Sequence, residues 1–260
     1  MKTYKIPNFK KILKPRWSHK PGFGMNKNFE HHRRKSFQQS TSPEDERLLK
    51  KLGIKKEDKV LAVAGYYASW ASAIARLEVN VAYSDISSSI VSWAKKEYGK
   101  LFSKYICSNY ELIPKKENQY DWTFTFEACG GGSGLPIAYL RSLLNKKGGI
   151  LVYHLRYGKD KKKMGSKPRM YPLIVKTLSG IYGAKYIVKG INVKSHQFEK
   201  PTKMIPHKIC IIKTNSKART KAMEDIVALE RNKFTEDTLK RLNKLANILS
   251  EEYTRKVKVK

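Results

Sequence analysis

Hydrophobic residues in the middle of the chain form short runs, and amphipathic stretches separate these runs. The runs at 59–64, 79–84, 121–126 and 149–155 predict β-strands, and a shorter strand is predicted near 104–107. The stretches between and after them predict helices at about 69–77, 87–99, 135–145 and 170–182. Strands that alternate with helices indicate an α/β fold with a doubly wound, mostly parallel sheet.

Two further strand patterns lie close together late in the chain. They are "AKYIVKGINVK" (184–194) and "HKICIIKTN" (207–215). No helical pattern separates them, so they predict an antiparallel pair added to the edge of the sheet.

The two ends of the chain differ from the middle. Residues 1–42 are rich in basic and polar residues and are broken by Pro and Gly, which predicts a flexible basic arm. Ser42 and Pro43 resemble a helix start, so the folded domain is predicted to span 43–215. Residues 216–260 predict a helical extension that includes a helix in "FTEDTLKRLNKLANILSEEY" (234–253). Packing of its leucine face on the domain is favoured, with a protein partner or RNA for the 235–253 helix as the alternative.

The net charge of the chain indicates what class of partner it binds. The chain carries 54 Lys and Arg against 22 Asp and Glu, a formal charge of +32. Such an excess predicts a nucleic-acid partner, RNA or DNA with RNA favoured, and an anionic membrane surface is the weaker candidate. The alternative is an ordinary protein from a lysine-rich proteome. The predicted RNA-binding residues lie in the arm and in a basic loop: Arg33, Arg34, Lys161, Lys162, Lys163 and Arg169.

Cysteines and apolar runs bear on location. Cys107, Cys129 and Cys210 show no CxxC spacing, which predicts neither a disulfide framework nor a zinc site. His31-His32 lacks further ligands at suitable spacing, so no metal is predicted. No apolar run approaches about 18 residues, and the basic start lacks the apolar stretch of a secretory signal. A soluble protein of the cytoplasm, with reduced thiols and no membrane contact, is expected.

One segment carries a cofactor signal. "KVLAVAGYYASWASAIARLEVNVAYSDIS" (59–87) combines a strand, a turn, a small-residue helix and a second strand ending in Asp85. Gly65 and Asp85 lie 20 residues apart, the spacing of a nucleotide-binding β-α-β unit. The turn Ala64-Gly65-Tyr66-Tyr67-Ala68 has a single glycine.

With "CSNYELIP" (107–114), "QYDWTFTFEA" (119–128) and "LPIAYLRSLLNKKGGILVYHLRYG" (135–158), residues 45–215 resemble the class I S-adenosylmethionine-dependent methyltransferases. The resemblance implies a Rossmann-like fold, S-adenosylmethionine as cofactor and an Asp85 carboxylate that accepts hydrogen bonds from the ribose hydroxyls. The residues it implies at the cofactor are Ala64, Gly65, Tyr66, Ala68, Asp85, Ile86, Ser108, Asn109 and Phe126.

The turn departs from the family pattern. Ala64, Tyr66 and Ala68 stand where the family has glycines, which allow a ligand to approach bare backbone. The Tyr66 ring either fills part of the methionine pocket or covers the ligand, and the second arrangement is favoured. A nicotinamide dinucleotide is less favoured, because its pyrophosphate depends on those glycines more strongly.

The acceptor side is expected after the fourth and fifth strands of the domain. Glu127 and His154 are the candidate catalytic residues there, as groups that orient the acceptor or take its proton. The resulting hypothesis is a methyltransferase acting on ribosomal or transfer RNA. Two alternatives remain: an inactive RNA-binding or ribonucleoprotein component with the same fold, and a methyltransferase for a small molecule or a protein.

Overall fold

The computed structural model describes residues 1–13, 49–63, 69–85, 87–107, 120–126, 140, 143–145, 148–154, 170–194, 204–249 and 251–259. In chain order its elements are β1 (Lys2–Pro7), α1 (Phe9–Leu13), β2 (Lys59–Val63), α2 (Ser69–Ala75), β3 (Asn80–Asp85), α3 (Ser88–Tyr98), β4 (Lys104–Cys107), β5 (Trp122–Phe126), β6 (Gly149–His154), α4 (Met170–Tyr182), β7 (Lys185–Lys194), β8 (Met204–Lys213), α5 (Ser216–Arg231), α6 (Glu236–Ala246) and β9 (Thr254–Val259).

A seven-stranded sheet forms the centre of the described chain, in the order β4-β3-β2-β5-β6-β8-β7. The pairings from β4 through to β6 are all parallel. β8 runs antiparallel to both β6 and β7 and lies between them. The predicted α/β fold and the antiparallel pair β7–β8 are therefore confirmed. Because only β8 is reversed, β7 at the edge of the sheet runs in the same direction as the parallel strands.

One face of the sheet packs against α2 and α3. Buried side chains that alternate along β2 and β3 form this core, together with α2, α3 and residues 49–54. Tyr83 is fully buried and its ring stacks on Phe102, with the ring centroids 5.5 Å apart. The end of the helix predicted to start at Ser42 is present at 49–52, and Gly53 follows it with φ +87°.

The opposite face packs against the C-terminal helices. Leu178, Cys210, Ile212, Ile226 and Leu242 belong to one buried cluster that joins α4, β8, α5 and α6. The leucine face of α6 is thus buried within the chain and is not left for a protein partner. This confirms the packing interpretation of that face; the domain boundaries at 43 and 216 stay predictions.

A buried ion pair joins the three helices of this face. Asp225 of α5 is fully buried, and Arg241 of α6 donates to its carboxylate from Nη2 at 2.7 Å and from Nε at 3.0 and 3.1 Å. Tyr182 at the end of α4 donates its hydroxyl to the same carboxylate at 2.7 Å. The carboxylate is therefore compensated by three donors, as a buried charge requires.

The first and last described strands correct the predictions for both ends of the chain. The predicted helical extension 216–260 is wrong for residues 254–259, which form the strand β9. β1 pairs antiparallel with β9, from Lys2 opposite Val259 to Pro7 opposite Thr254. Ile6 is fully buried, and the Lys5 N–H donates to Asn243 Oδ1 of α6 at 2.9 Å. The expectation of a flexible arm is wrong for residues 2–13, because the apolar face of the ribbon packs on α6. The rest of that predicted arm, including Arg33 and Arg34, lies outside the described residues.

Two glycines set how closely the strands approach at the start of β6. A Cβ on Gly148 would overlap the carbonyl of Asp121, and one on Gly149 would overlap the carbonyl of Ile212. No other residue fits at either position without moving the backbone. Within the described part of the chain, no helix has the length and apolar character needed to cross a membrane.

Candidate functional site

The carboxyl ends of the five parallel strands lie along one edge of the sheet. They are Val63, Asp85, Cys107, Phe126 and His154. The chain runs outward from β2 to β3 and β4, then returns to the other side of β2 as β5. This reversal of strand order beside β2 is a topological switch point, where ligands of open α/β sheets bind. Three of the predicted site residues, Asp85, Phe126 and His154, are thus brought to the same edge.

Asp85 is the last residue of β3 and is 7% exposed. Its Oδ1 accepts the backbone N–H of Ser87 at 2.9 Å. The Ser87 hydroxyl in turn caps α3 by accepting from the Ile90 N–H at 3.4 Å. The carboxylate is therefore held between the end of a strand and the start of a helix. A carboxylate fixed in this way can accept further hydrogen bonds from a ligand without losing side-chain entropy when the ligand binds.

The charge of Asp85 acts on its neighbours. Cys107 of β4 is its Cα partner in the parallel register. Cys107 is exposed, but partial desolvation raises the pKa of its thiol, and the Asp85 carboxylate raises it further. Burial also raises the pKa of Tyr83 well above its usual value, with Asp85 as the next cause. This part of the edge therefore favours neutral or hydrogen-donating groups and disfavours a second negative charge.

Phe126 and His154 end the adjacent strands β5 and β6. Phe126 is the register partner of Tyr153, so His154 lies one residue further along the edge. With strands about 4.8 Å apart, β6 lies about 14 Å from β3. The end of β3, which carries Asp85, is therefore separated by this distance from the end of β6, where the sequence predicts the acceptor side.

The remaining predicted site residues lie outside the described ranges. They are Ala64, Gly65, Tyr66, Ala68, Ile86, Ser108, Asn109 and Glu127 for the cofactor and acceptor, and Lys161, Lys162, Lys163 and Arg169 for RNA. Their roles stay predictions.

Sequence reasoning missed two features of this edge. Cys107 is treated in the sequence analysis only as a cysteine without CxxC spacing, although it begins the segment "CSNYELIP" and is the register partner of Asp85. Ser84 is 1% exposed, and its Oγ has no hydrogen-bond partner within the described part of the chain. Among the described residues, no group of three or more His, Cys, Asp or Glu side chains could hold a metal ion.

The chain was compared with known proteins. No protein-family model matches it, and no curated protein matches it in sequence. Solved structures are similar to it. One is the magnesium protoporphyrin IX methyltransferase of Synechocystis PCC 6803 with bound SAH, at TM-score 0.50 and 12% identity, covering 80% of this chain and 93% of that one. Another is a TehB-like SAM-dependent methyltransferase of Corynebacterium glutamicum, at TM-score 0.50 and 10% identity, covering 75% of this chain and 100% of that one.

These similarities concern the fold, since the identities are low. The chain has the Rossmann-like fold of the class I methyltransferases, as its sequence pattern predicts.

Proposed function

We propose that this chain is an S-adenosylmethionine-dependent methyltransferase that acts on RNA. The observation that carries the proposal is the position of Asp85. It is a buried carboxylate at the carboxyl end of β3, next to the switch point of a methyltransferase-like sheet. One of the similar structures holds S-adenosylhomocysteine, which supports the same class of ligand here.

The described residues fit the nucleoside part of such a cofactor. Ribose hydroxyls donate hydrogen bonds, and Asp85 offers a fixed acceptor in a setting with little water. The neighbouring Cys107 thiol, whose pKa is raised, stays neutral near pH 7 and adds no charge against the carboxylate. An acid at this position binds the ribose of a nucleoside and of a dinucleotide alike. A nucleoside is favoured because the turn after β2 lacks the glycines on which a pyrophosphate depends.

The chemistry depends mainly on positioning. When bound, S-adenosylmethionine supplies an electrophilic methyl group on its sulfonium. Asp85 would hold the ribose of the nucleoside at the end of β3, and we propose the acceptor side at the ends of β5 and β6. An acceptor held there in line with the methyl group gains rate from orientation alone. Glu127 and His154 are the groups we propose to orient the acceptor or take its proton.

RNA as the acceptor rests on charge. An excess of 32 positive charges disfavours compaction unless a polyanion offsets it. Small-molecule and protein acceptors explain the fold equally well but leave this charge without a role.

The test is transfer of a labelled methyl group from S-adenosylmethionine to total RNA by the purified chain. We expect labelled RNA with the wild type and a loss of at least tenfold in kcat/KM for the cofactor with Asp85→Asn. Asp121→Asn is the matched control, because Asp121 accepts the Lys59 N–H at 3.0 Å at the opposite edge of the sheet. RNA binding without cofactor binding would instead favour the inactive RNA-binding alternative. Labelling of small molecules or proteins but not RNA would overturn the acceptor.

A further inference from the structure

One part of the described chain contains no acidic residue. Residues 170–194 and 204–223 form α4, β7, β8 and the first half of α5, and they include neither Asp nor Glu. At the average acid content of the chain, 45 residues would carry about four. These residues instead carry nine basic side chains: Lys176, Lys185, Lys189, Lys194, Lys208, Lys213, Lys217, Arg219 and Lys221. The sheet pairing brings these segments together at one end of the sheet.

Three exposed lysines lie at or just beyond the strand ends on the edge of the sheet where the parallel strands begin, which we call the amino edge. Lys185 begins β7, Lys213 ends β8, and the two are register partners. Lys217 lies in the first turn of α5, whose start is tied to the turn before β7 by a 3.0 Å hydrogen bond from Asn215 Nδ2 to the Gly183 carbonyl. We name Lys185, Lys213 and Lys217 the amino-edge lysines.

The arrangement of these lysines is electrostatically unfavourable in the free protein. Like charges directly opposite each other on neighbouring strands destabilise a sheet. The other cross-strand partner of Lys213 is Gly149, which has no side chain. A basic residue in the first turn of a helix opposes the helix dipole, and α5 has no acid there. Within the described part of the chain, none of the three lysines forms an ion pair.

We infer that the amino-edge lysines bind the phosphate backbone of RNA, as an anchoring surface separate from the edge that holds Asp85. This inference rests on the proposed RNA acceptor. A run of phosphates would offset all three unfavourable charges at once, which a single carboxylate could not do. β6 spans about 17 Å between the two edges of the sheet. The lysines therefore hold RNA without touching the proposed site of chemistry.

The test is the salt dependence of RNA binding. Binding of a fluorescein-labelled single-stranded RNA is followed by anisotropy between 50 and 300 mM KCl (roughly the range where such binding changes). For the Lys185→Gln, Lys213→Gln, Lys217→Gln triple variant, we expect the log–log slope to become less steep by about 2, at about 0.7 per phosphate lost. Affinity near 0.1 M salt should fall at least about tenfold.

The matched control removes the same charge elsewhere. Lys95, Lys96 and Lys100 are exposed lysines at the end of α3 and just after it. Their triple change to Gln should move the slope by less than about half a unit. Equal effects of the two triple variants would overturn the inference, because the charge would then act diffusely.

Further measurements separate the outcomes. S-adenosylhomocysteine affinity and the melting temperature of the amino-edge variant should match the wild type. If that variant does not fold, lysine acetylation of the wild type replaces it, and RNA should protect the amino-edge lysines but not Lys95, Lys96 and Lys100. Absence of protection would overturn the inference. It would also be overturned if the amino-edge variant lost binding to phosphatidylserine vesicles while its RNA binding stayed unchanged.

Two experimental outcomes distinguish an error in this inference from an error in the proposed function. If the wild type methylates RNA while the amino-edge variant keeps its affinity and slope, only the anchoring surface is wrong. If the wild type shows no salt-dependent RNA binding, both the proposed RNA acceptor and the proposed anchoring surface are wrong.

Discussion

Asp85 and Cys107 are Cα partners at the carboxyl ends of β3 and β4, and the Asp85 carboxylate contributes to the raised pKa of the Cys107 thiol. Cys107 is exposed, so the thiol reports on the charge of Asp85 from solution. The pair connects the candidate cofactor site to a group that can be titrated and labelled.

Asp85→Asn should make Cys107 react faster. Removing the carboxylate removes the second cause of the raised pKa, so more thiolate is present at pH 8. Iodoacetamide rates followed by mass spectrometry check this, with buried Cys210 as the unreactive internal control. Asp121→Asn should leave the rate unchanged. An unchanged rate in Asp85→Asn would show that the two side chains do not sense each other.

Tyr98→Phe should reduce the loss of stability at alkaline pH. Burial is the main cause that raises the pKa of Tyr98 from 10.0 to about 12. The folded state therefore holds this proton more tightly than the unfolded state. The resulting stability is complete below pH 10 and is lost as pH rises to 12, by about 3 kcal/mol.

Urea unfolding of both proteins between pH 8 and 12 measures this effect. At pH 8 the variant should be less stable by about 1 kcal/mol, because the hydrogen bond with Ser72 is lost. Above pH 11 the difference should shrink or reverse. If the stabilities of the two proteins changed with pH in parallel, this would contradict a Tyr98 hydroxyl that burial keeps un-ionised.

Arg241→Gln should destabilise the fold by about 3 kcal/mol, because it leaves the buried carboxylate of Asp225 without its cation. Adding Asp225→Asn should recover at least about 1 kcal/mol of this loss, since the uncompensated charge is then gone. A double-mutant cycle in urea gives both values. Simple additivity of the two changes would mean that the side chains act independently.

Gly149→Ala and Gly180→Ala should have opposite effects. A Cβ at Gly149 overlaps the Ile212 carbonyl across the β6–β8 pair, so the strands must separate. At Gly180, within α4, nothing lies within 4 Å of the added atom, and alanine favours helix by about 1 kcal/mol. Thermal melts should show a lower midpoint for the first variant and an equal or higher one for the second. A stable Gly149→Ala protein would contradict the close approach of the strands.

The strands of the central sheet could be predicted because their side chains are buried in regular patterns. Val60 and Val81, for example, are fully buried within short apolar runs. The position of β8 between β6 and β7 could not be predicted, because strand order depends on contacts distant in sequence. β1 and β9 escaped detection because lysines occupy their outer face. The signal was present as apolar residues at every second position: Tyr4 and Ile6, and Val257 and Val259.

The candidate site was predictable in part. Asp85 follows from the strand pattern and its spacing from Gly65, whereas its hydrogen bond to Ser87 depends on how α3 begins. The buried ion pair is not among the sequence predictions, although the position of Asp225 carries a signal. Asp225 lies on the apolar stripe of Ala218, Ala222 and Leu229, and an acid on such a stripe indicates a buried cationic partner.

Calorimetric titration of the purified chain with S-adenosylhomocysteine tests the central claim most directly. We expect measurable binding by the wild type, with Asp85→Asn weaker by about 1.5–3 kcal/mol, the loss expected for a charged hydrogen-bond acceptor. Asp121→Asn, the matched change at the opposite edge of the sheet, should bind like the wild type. No heat and no thermal shift with the wild type at millimolar ligand, or equal binding by Asp85→Asn, would contradict a cofactor site at Asp85.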